Sequence, residues 1–217
     1  MKKIQLNIFT NSTKQNSPST YHITKTYESF KDTFGDDIPT KVWVDPHPNK
    51  KSSEEYIKKL REIFNDVNIT NSLSDGYIKA IKSSDFDFLF MLEHDWIFTK
   101  KIKTDIYTIL KQMETSSIIH FGFCKSKLVE DNKYHKYMKE VKGELFDYCV
   151  SPFLSNNPHI INRKLYFEKA LPYLKLSKRY YGIEQELQKI EHLESALYGY
   201  YGYEPTVEHI NGRKQIK

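Results

Sequence analysis

With 217 residues, 39% of them hydrophobic and 28% charged, and with only eight glycines and eight prolines, the chain excludes a collagen, a low-complexity disordered segment and a coiled-coil rod. It has the length of one globular domain with a substantial core. Lysine and arginine number 33 against 28 acids, a formal net charge of +5 spread in short runs, not along one stripe, so no nucleic-acid partner is expected.

The elements alternate from the start. QLNIFT at 5–10 is β-rich and stops at the polar cluster Asn11, Ser12, Thr13, which predicts a strand ending in a loop. Ser17-Pro18 then signals a helix whose apolar face is Tyr21, Ile23, Tyr27, Phe30 and Phe34, closed by Gly35. KVWV at 41–44 is a second strand ending in Asp45-Pro46, and Ser52-Ser53-Glu54-Glu55 opens a second helix that runs to Phe64. A short strand at 67–70 and a helix at 74–81 follow. FDFLFML at 86–92 is then nearly uninterrupted in its apolarity, the mark of a strand buried on both faces.

Beyond Trp96 the spacing predicts a helix over 102–113, a strand over 118–123 and a polar segment over 125–142 with a helical stretch at 134–138. A strand within 146–154, a turn at 155–158 leading into 159–161, a helix over 163–171 and a further helix over 183–197 complete the pattern before 205–210 and a basic tail. Strands alternating with helices at this pitch predict an α/β fold, a mostly parallel central sheet flanked by helices in a single domain, with ligands at the carboxyl ends of the strands. Cys124 and Cys149 lie in apolar surroundings and are too few for a disulfide framework or a Cys-rich zinc site, so a reducing, cytoplasmic compartment is expected. No run approaches the ~20 apolar residues of a transmembrane segment. The stretch after Lys2 and Lys3 is too polar, at Gln5, Asn7 and Asn11, for a signal sequence.

The chemistry concentrates at Leu92-Glu93-His94-Asp95-Trp96, where two acids at i and i+2 leave the most buried strand on one expected face. Two carboxylates so placed can hold a hard divalent cation whose remaining positions take phosphate oxygens. The plainer alternative is capping of a loop by acids. Thr10, Asn11 and Ser12 at the end of the first strand and Asp45 at the end of the second are the candidate nucleotide-binding groups, although all are also ordinary turn formers.

The run FDFLFMLEHDWIFT resembles the strand and acidic signature of GT-A fold nucleotide-sugar glycosyltransferases, with Glu93 and Asp95 at the two acidic positions of the Asp-x-Asp motif. Asn71 to Gly76 with Ala80 is similar to the helix start that precedes this motif in family-2-like members, and the stretch from Ser155 to Arg163 resembles their acceptor side. Small chlorella-virus-type glycosyltransferases are similar too, in which case the compartment is the host cytoplasm. The resemblance implies a metal-dependent transfer of a sugar from a nucleoside-diphosphate sugar, with UDP as the expected carrier, to a hydroxyl of a glycan or other acceptor. It implies Mn²⁺ or Mg²⁺ held by Glu93, Asp95 and a late histidine, His209, and a donor lying against Asp75 and His94. Arg213 would pair with phosphate. Gly182-Ile183-Glu184-Gln185-Glu186 is similar to the Glu-Asp motif at the acceptor, with Gln185 where Asp is usual, so Glu184 and Glu186 are the candidate catalytic bases. The corresponding division is a nucleotide-binding half, 1–98, and an acceptor-binding half, 99–217.

Each residue also has a plainer role: His209 on a charged surface, Glu184 and Glu186 as favourable acids in a first helical turn. A nucleotidyltransferase acting on sugar phosphates shares the strand-end acids and metal, but TNSTKQN at 10–16 lacks a glycine-rich triphosphate loop. A non-catalytic nucleotide- or glycan-binding module is the third reading.

Overall fold

The computed structural model describes residues 3–11, 19–46, 50–130, 137–152, 154–174 and 193–210. Strand β1 (Ile4–Asn11) places Ile4, Leu6 and Ile8 in one apolar cluster and Phe9 in another, as a period of two requires of a strand covered on both faces. Its buried polar residues are partnered. Asn7 Oδ1 accepts from Trp43 Nε1 at 2.9 Å, and Gln5 Oε1 from Ser84 Oγ at 3.2 Å, which removes the penalty of burying an unpaired amide.

Strand β4 (Phe88–Glu93) repeats the alternation, with Phe88, Phe90 and Leu92 on the first face and Leu89 and Met91 on the second. Helices α1 (Tyr21–Phe34), α2 (Lys50–Ile63) and α4 (Ile106–Thr115) pack on the first face, and α3 (Leu73–Ser83) and α5 (Arg163–Lys169) on the second. On the first face Phe30 meets Phe90 edge-on at 5.0 Å, and Phe90 stacks on Phe123 at 5.5 Å, so aromatic contacts tie α1 and β4 to the later part of the chain.

The main sheet also contains β2 (Thr40–Asp45), β3 (Val67–Ile69), β6 (His120–Gly122), β7 (Lys139–Val141), β8 (Tyr148–Ser151), β9 (His159–Asn162) and β10 (Ser195–Tyr198). Its nine strands run in the order β3-β2-β1-β4-β9-β6-β10-β8-β7. The first four are parallel, as expected, and so are β6 and β10. Strand β9 is antiparallel to both β4 and β6, and β8 to both β10 and β7, so the sheet becomes mixed beyond β4. A separate ribbon pairs β5 (Trp96–Phe98) antiparallel with β11 (Val207–His209).

Several local expectations shift. Residues 183–192 lie outside the described part, and the end of the helix expected there is instead strand β10, whose four residues are all buried. Pairing on both sides, with β6 and β8, outweighs the helical spacing of its apolar residues. Helix α4 starts after Asp105, not at Ile102, because the Asp105 carboxylate caps the Thr108 N–H at 3.0 Å. Tyr21, read as part of the α1 apolar face, is 58% exposed, whereas Ile23, Phe30 and Phe34 are buried. The stretch expected to be helical at 134–138 is mostly outside the described residues, and β7 follows it. Among the described residues no helix is long and apolar enough to cross a membrane.

Candidate functional site

The carboxyl ends of β1, β2 and β4 open into a partly open cleft. Phe9, Trp43 and Leu73 give it an apolar wall; Thr10, Asn11, Asp45, Thr70, Glu93 and His94 supply polar groups. The strands bring these together through register: Asn11 lies opposite Asp45, and Phe9 opposite Glu93. Asn11 Oδ1 is buried with no hydrogen-bond partner among the described residues. Thr10 is engaged internally, its hydroxyl 2.6 Å from that of Tyr56, which burial pushes up to about 12. Ser12 lies outside the described residues.

Asp75 does not line the cleft. It accepts from the Asn71 N–H at 2.9 Å and from Lys79 Nζ at 2.7 Å, while Ser72 Oγ caps its own N–H. Although burial works the other way, these contacts hold its carboxyl below the ordinary value. Asp75 therefore fastens the start of α3. Gly76 lets that helix lie close behind the wall, since a Cβ there would stand 3.3 Å from Trp43 Cβ and 3.4 Å from the Phe9 ring.

Glu93 and Asp95 do not leave the sheet on one face. Strand β4 ends at Glu93, and His94 and Asp95 form a turn into β5, so the alternation that would align them stops. Thr26 of α1 holds this turn by donating to the His94 carbonyl at 2.7 Å, and the His94 N–H donates to Phe9 O at 3.0 Å. The His94 ring is buried, and burial keeps it below its ordinary pKa against the opposing pull of Asp95.

The two acids find different partners. Glu93 Oε1 accepts from the side-chain amide of Asn156, in the loop preceding β9. Asp95 Oδ2 lies 2.9 Å from His209 Nε2. The β5–β11 ribbon creates this second contact: Trp96 pairs with His209, and the Ile210 N–H donates to Asp95 O at 2.7 Å. Asp95 Oδ1 is buried without a hydrogen-bond partner among the described residues. The ribbon thus joins Asp95 to His209, and Glu93 stands apart with Asn156. Among the described residues no group of three or more His, Cys, Asp and Glu side chains gathers as a metal cage.

Glu184, Glu186 and Arg213 lie outside the described residues. Asn156 was legible only as part of the turn at 155–158, since nothing in the spacing of Ser155-Asn156-Asn157-Pro158 reveals a carboxylate 63 positions earlier in the chain. Trp43 and Phe9, read from the sequence only as members of strands, belong both to the core and to the cleft wall. Tyr198 proves to be core as well, its hydroxyl accepting from the Lys103 and Thr104 N–H groups.

No family model matches the chain, and no curated protein matches it. Solved structures share its fold. S. aureus TarS 1-349 superposes with a TM-score of 0.55 at 11% identity, over 95% of this chain and 60% of that one. The same protein in complex with UDP-GlcNAc gives 0.53 at 13% identity, over 93% and 57%. A further S. aureus TarS structure gives 0.51 at 14% identity, over 93% of this chain and 36% of that one. The chain therefore spans 36–60% of the TarS chains it matches, and at these identities the likeness is one of fold. What it defines is a single α/β domain; the cleft at the carboxyl edge of the parallel strands is read from this structure itself.

Proposed function

We propose that this protein is a metal-dependent glycosyltransferase, moving a sugar from a nucleoside diphosphate, most simply UDP, to a hydroxyl of a glycan or other acceptor. The observation that carries the reading is the convergence of Asn11, Asp45 and Glu93 at one strand edge, next to an Asp95–His209 contact. An apolar wall with an acceptor-rich rim suits a flat base and its ribose, and the fold is one that holds UDP-GlcNAc in TarS. In this reading residues 1–98 bind the nucleotide and 99–217 the acceptor.

Asp95 and His209 would hold Mn²⁺ or Mg²⁺. A carboxylate oxygen and an imidazole nitrogen already in contact suit Mn²⁺, and Asp95 Oδ1, without a hydrogen-bond partner among the described residues, offers a further donor. When bound, the ion supplies Lewis-acid stabilisation of the departing diphosphate. Glu93, fixed by the neutral Asn156 amide, lies on the donor side, and the buried His94 backs the turn that carries Asp95. Glu184 or Glu186 removes the acceptor proton and Arg213 meets the phosphates. The two buried free cysteines support a reducing cytoplasmic setting.

The test is a screen of UDP-, GDP- and dTDP-linked sugars with and without Mn²⁺, reading donor hydrolysis and thermal stability. A ligand that binds only the native state at 100 times its Kd adds about 2.7 kcal/mol, which for a chain of this size raises Tm by roughly 5–10 °C. Metal-dependent stabilisation by one nucleotide family, with release of its sugar, is the expected result. No stabilisation and no hydrolysis with any donor would sink the reading.

A further inference from the structure

The loop that brings Asn156 to Glu93 is anchored from inside the protein by groups with no other evident task. His159, the first residue of β9, and Tyr77 of α3 are each 1% exposed and hydrogen-bonded to one another through the tyrosine hydroxyl and His159 Nε2. On the other side of the ring, His159 Nδ1 lies 2.7 Å from the Asn157 carbonyl. A carbonyl oxygen only accepts, so Nδ1 carries the proton, and Nε2 of the neutral ring accepts from Tyr77. Burial keeps the ring in this form by lowering its pKa to about 4, despite the opposing Asn157 carbonyl, and it raises that of the Tyr77 hydroxyl.

The surroundings fix the ring further. His120 stacks on His159 at 4.2 Å between centroids. The loop is also pinned where the Phe123 N–H donates to Pro158 O at 2.9 Å and the Asn157 N–H to Ser155 Oγ at 3.3 Å. Between these anchors Asn156 reaches across to Glu93.

We infer that the Tyr77–His159 hydrogen bond is a positioning device: it orients the His159 ring so that the ring holds the loop at Asn157, and the loop in turn sets Asn156 against Glu93 in the cleft. This rests on the reading of that cleft as the donor site. His159 and Tyr77 are positioning residues and Asn156 is the group they place. The two imidazole nitrogens have separate duties, and the side-chain amides of Asn and Gln imitate them separately. An Asn at 159 reaches about as far as Nδ1 and keeps a donor for Asn157; a Gln reaches about as far as Nε2 and meets Tyr77 instead.

The side-chain amide of Asn156 reports the outcome by ¹⁵N NMR, assigned by its loss in Asn156→Ala and tied to Glu93 by its shift in Glu93→Gln. In His159→Asn, which keeps a donor for Asn157 but gives Tyr77 nothing to orient, the resonance should shift, though less than in His159→Gln. In His159→Gln it should move to the position of a solvent-exposed amide, and kcat/KM for donor hydrolysis should fall roughly 10- to 100-fold, the effect of a misplacement of about 1 Å. A folded His159→Gln protein whose Asn156 resonance is unmoved overturns the inference. Should that variant not fold, Tyr77→Phe removes one hydroxyl with little change of shape: a shifted Asn156 resonance supports the inference and an unshifted one overturns it. If the resonance moves as expected but wild-type protein binds no UDP in calorimetry, the positioning stands and it is the donor-site reading that fails.

Discussion

The two halves of the main sheet are built on different terms. From β1 to β4 every strand is parallel and separated from the next by a helix, and β1 and β4 present buried apolar residues to both faces. From β9 to β7 the strands have three or four residues each, parallel and antiparallel pairings are mixed, and buried histidines replace part of the apolar lining. The first half supplies the lining of the cleft. The second supplies its reach, because β9 runs against β4: His159 begins opposite Met91, at the edge where β4 ends, and the loop before it arrives beside Glu93. A parallel strand in that place would have delivered the same loop to the far edge of the sheet. Reversal of one strand is thus what lets two distant segments share a site.

The largest effect is expected at the junction between the first half and the ribbon that follows it. Asp95→Ala should reduce sugar transfer by roughly 10²–10³-fold or more and abolish metal-dependent UDP binding, with an unchanged melting profile; full activity in that variant would remove the metal assignment. On the acceptor side, Glu184→Gln and Glu186→Gln should be compared, since loss of the true base slows turnover by roughly 10²–10⁴-fold while leaving donor KM nearly constant. If neither slows it, the base lies elsewhere.

Phe90→Ala probes whether the two halves are one cooperative unit. Its ring is fully buried and joins Phe30 to Phe123, so its loss should cost about 3–5 kcal/mol and lower a single unfolding transition. Two separated transitions in calorimetry would divide the domain.

The histidine-lined half should give stability its pH dependence. An unfolded imidazole titrates near 6.5, whereas burial holds folded His159 at about 4, so between these values the unfolded state binds the extra proton. Stability should therefore rise with pH from about 4 to 6.5 and level off above. In His159→Asn the slope should shrink without vanishing, because burial lowers His120 and His94 as well. An unchanged slope in chemical denaturation would exclude His159 as a source. The smallest effect belongs to Asp75→Asn, which should lose about 0.5–1 kcal/mol and leave UDP affinity within twofold. Its depressed carboxyl pKa adds stability above the unfolded value, near 3.9, and that stability is lost as pH falls through the folded one. A tenfold loss of UDP affinity in this variant would return Asp75 to the ligand.

Legibility followed the same division. The parallel half could be read from local signals: the apolar run at β4 and the strand-end positions of Asn11, Asp45 and Glu93, which do meet at one cleft. Strand β10 was misread because four buried residues in short register carry no period of their own. Glu93 and Asp95 were aligned on one face by strand alternation, and the turn at His94 ended that alternation.

The sequence by itself determined the α/β class, the two-faced burial of β4, and the strand edge where polar groups collect, because these depend on spacing along one segment. Only the tertiary structure decided that Glu93 meets Asn156 and that Asp75 faces its own helix, and it brought Asp95 and His209, grouped before only by the family resemblance, into direct contact. Such pairings depend on strand direction and on how a ribbon folds back, and contacts over 63 and 114 positions leave no local trace in the chain.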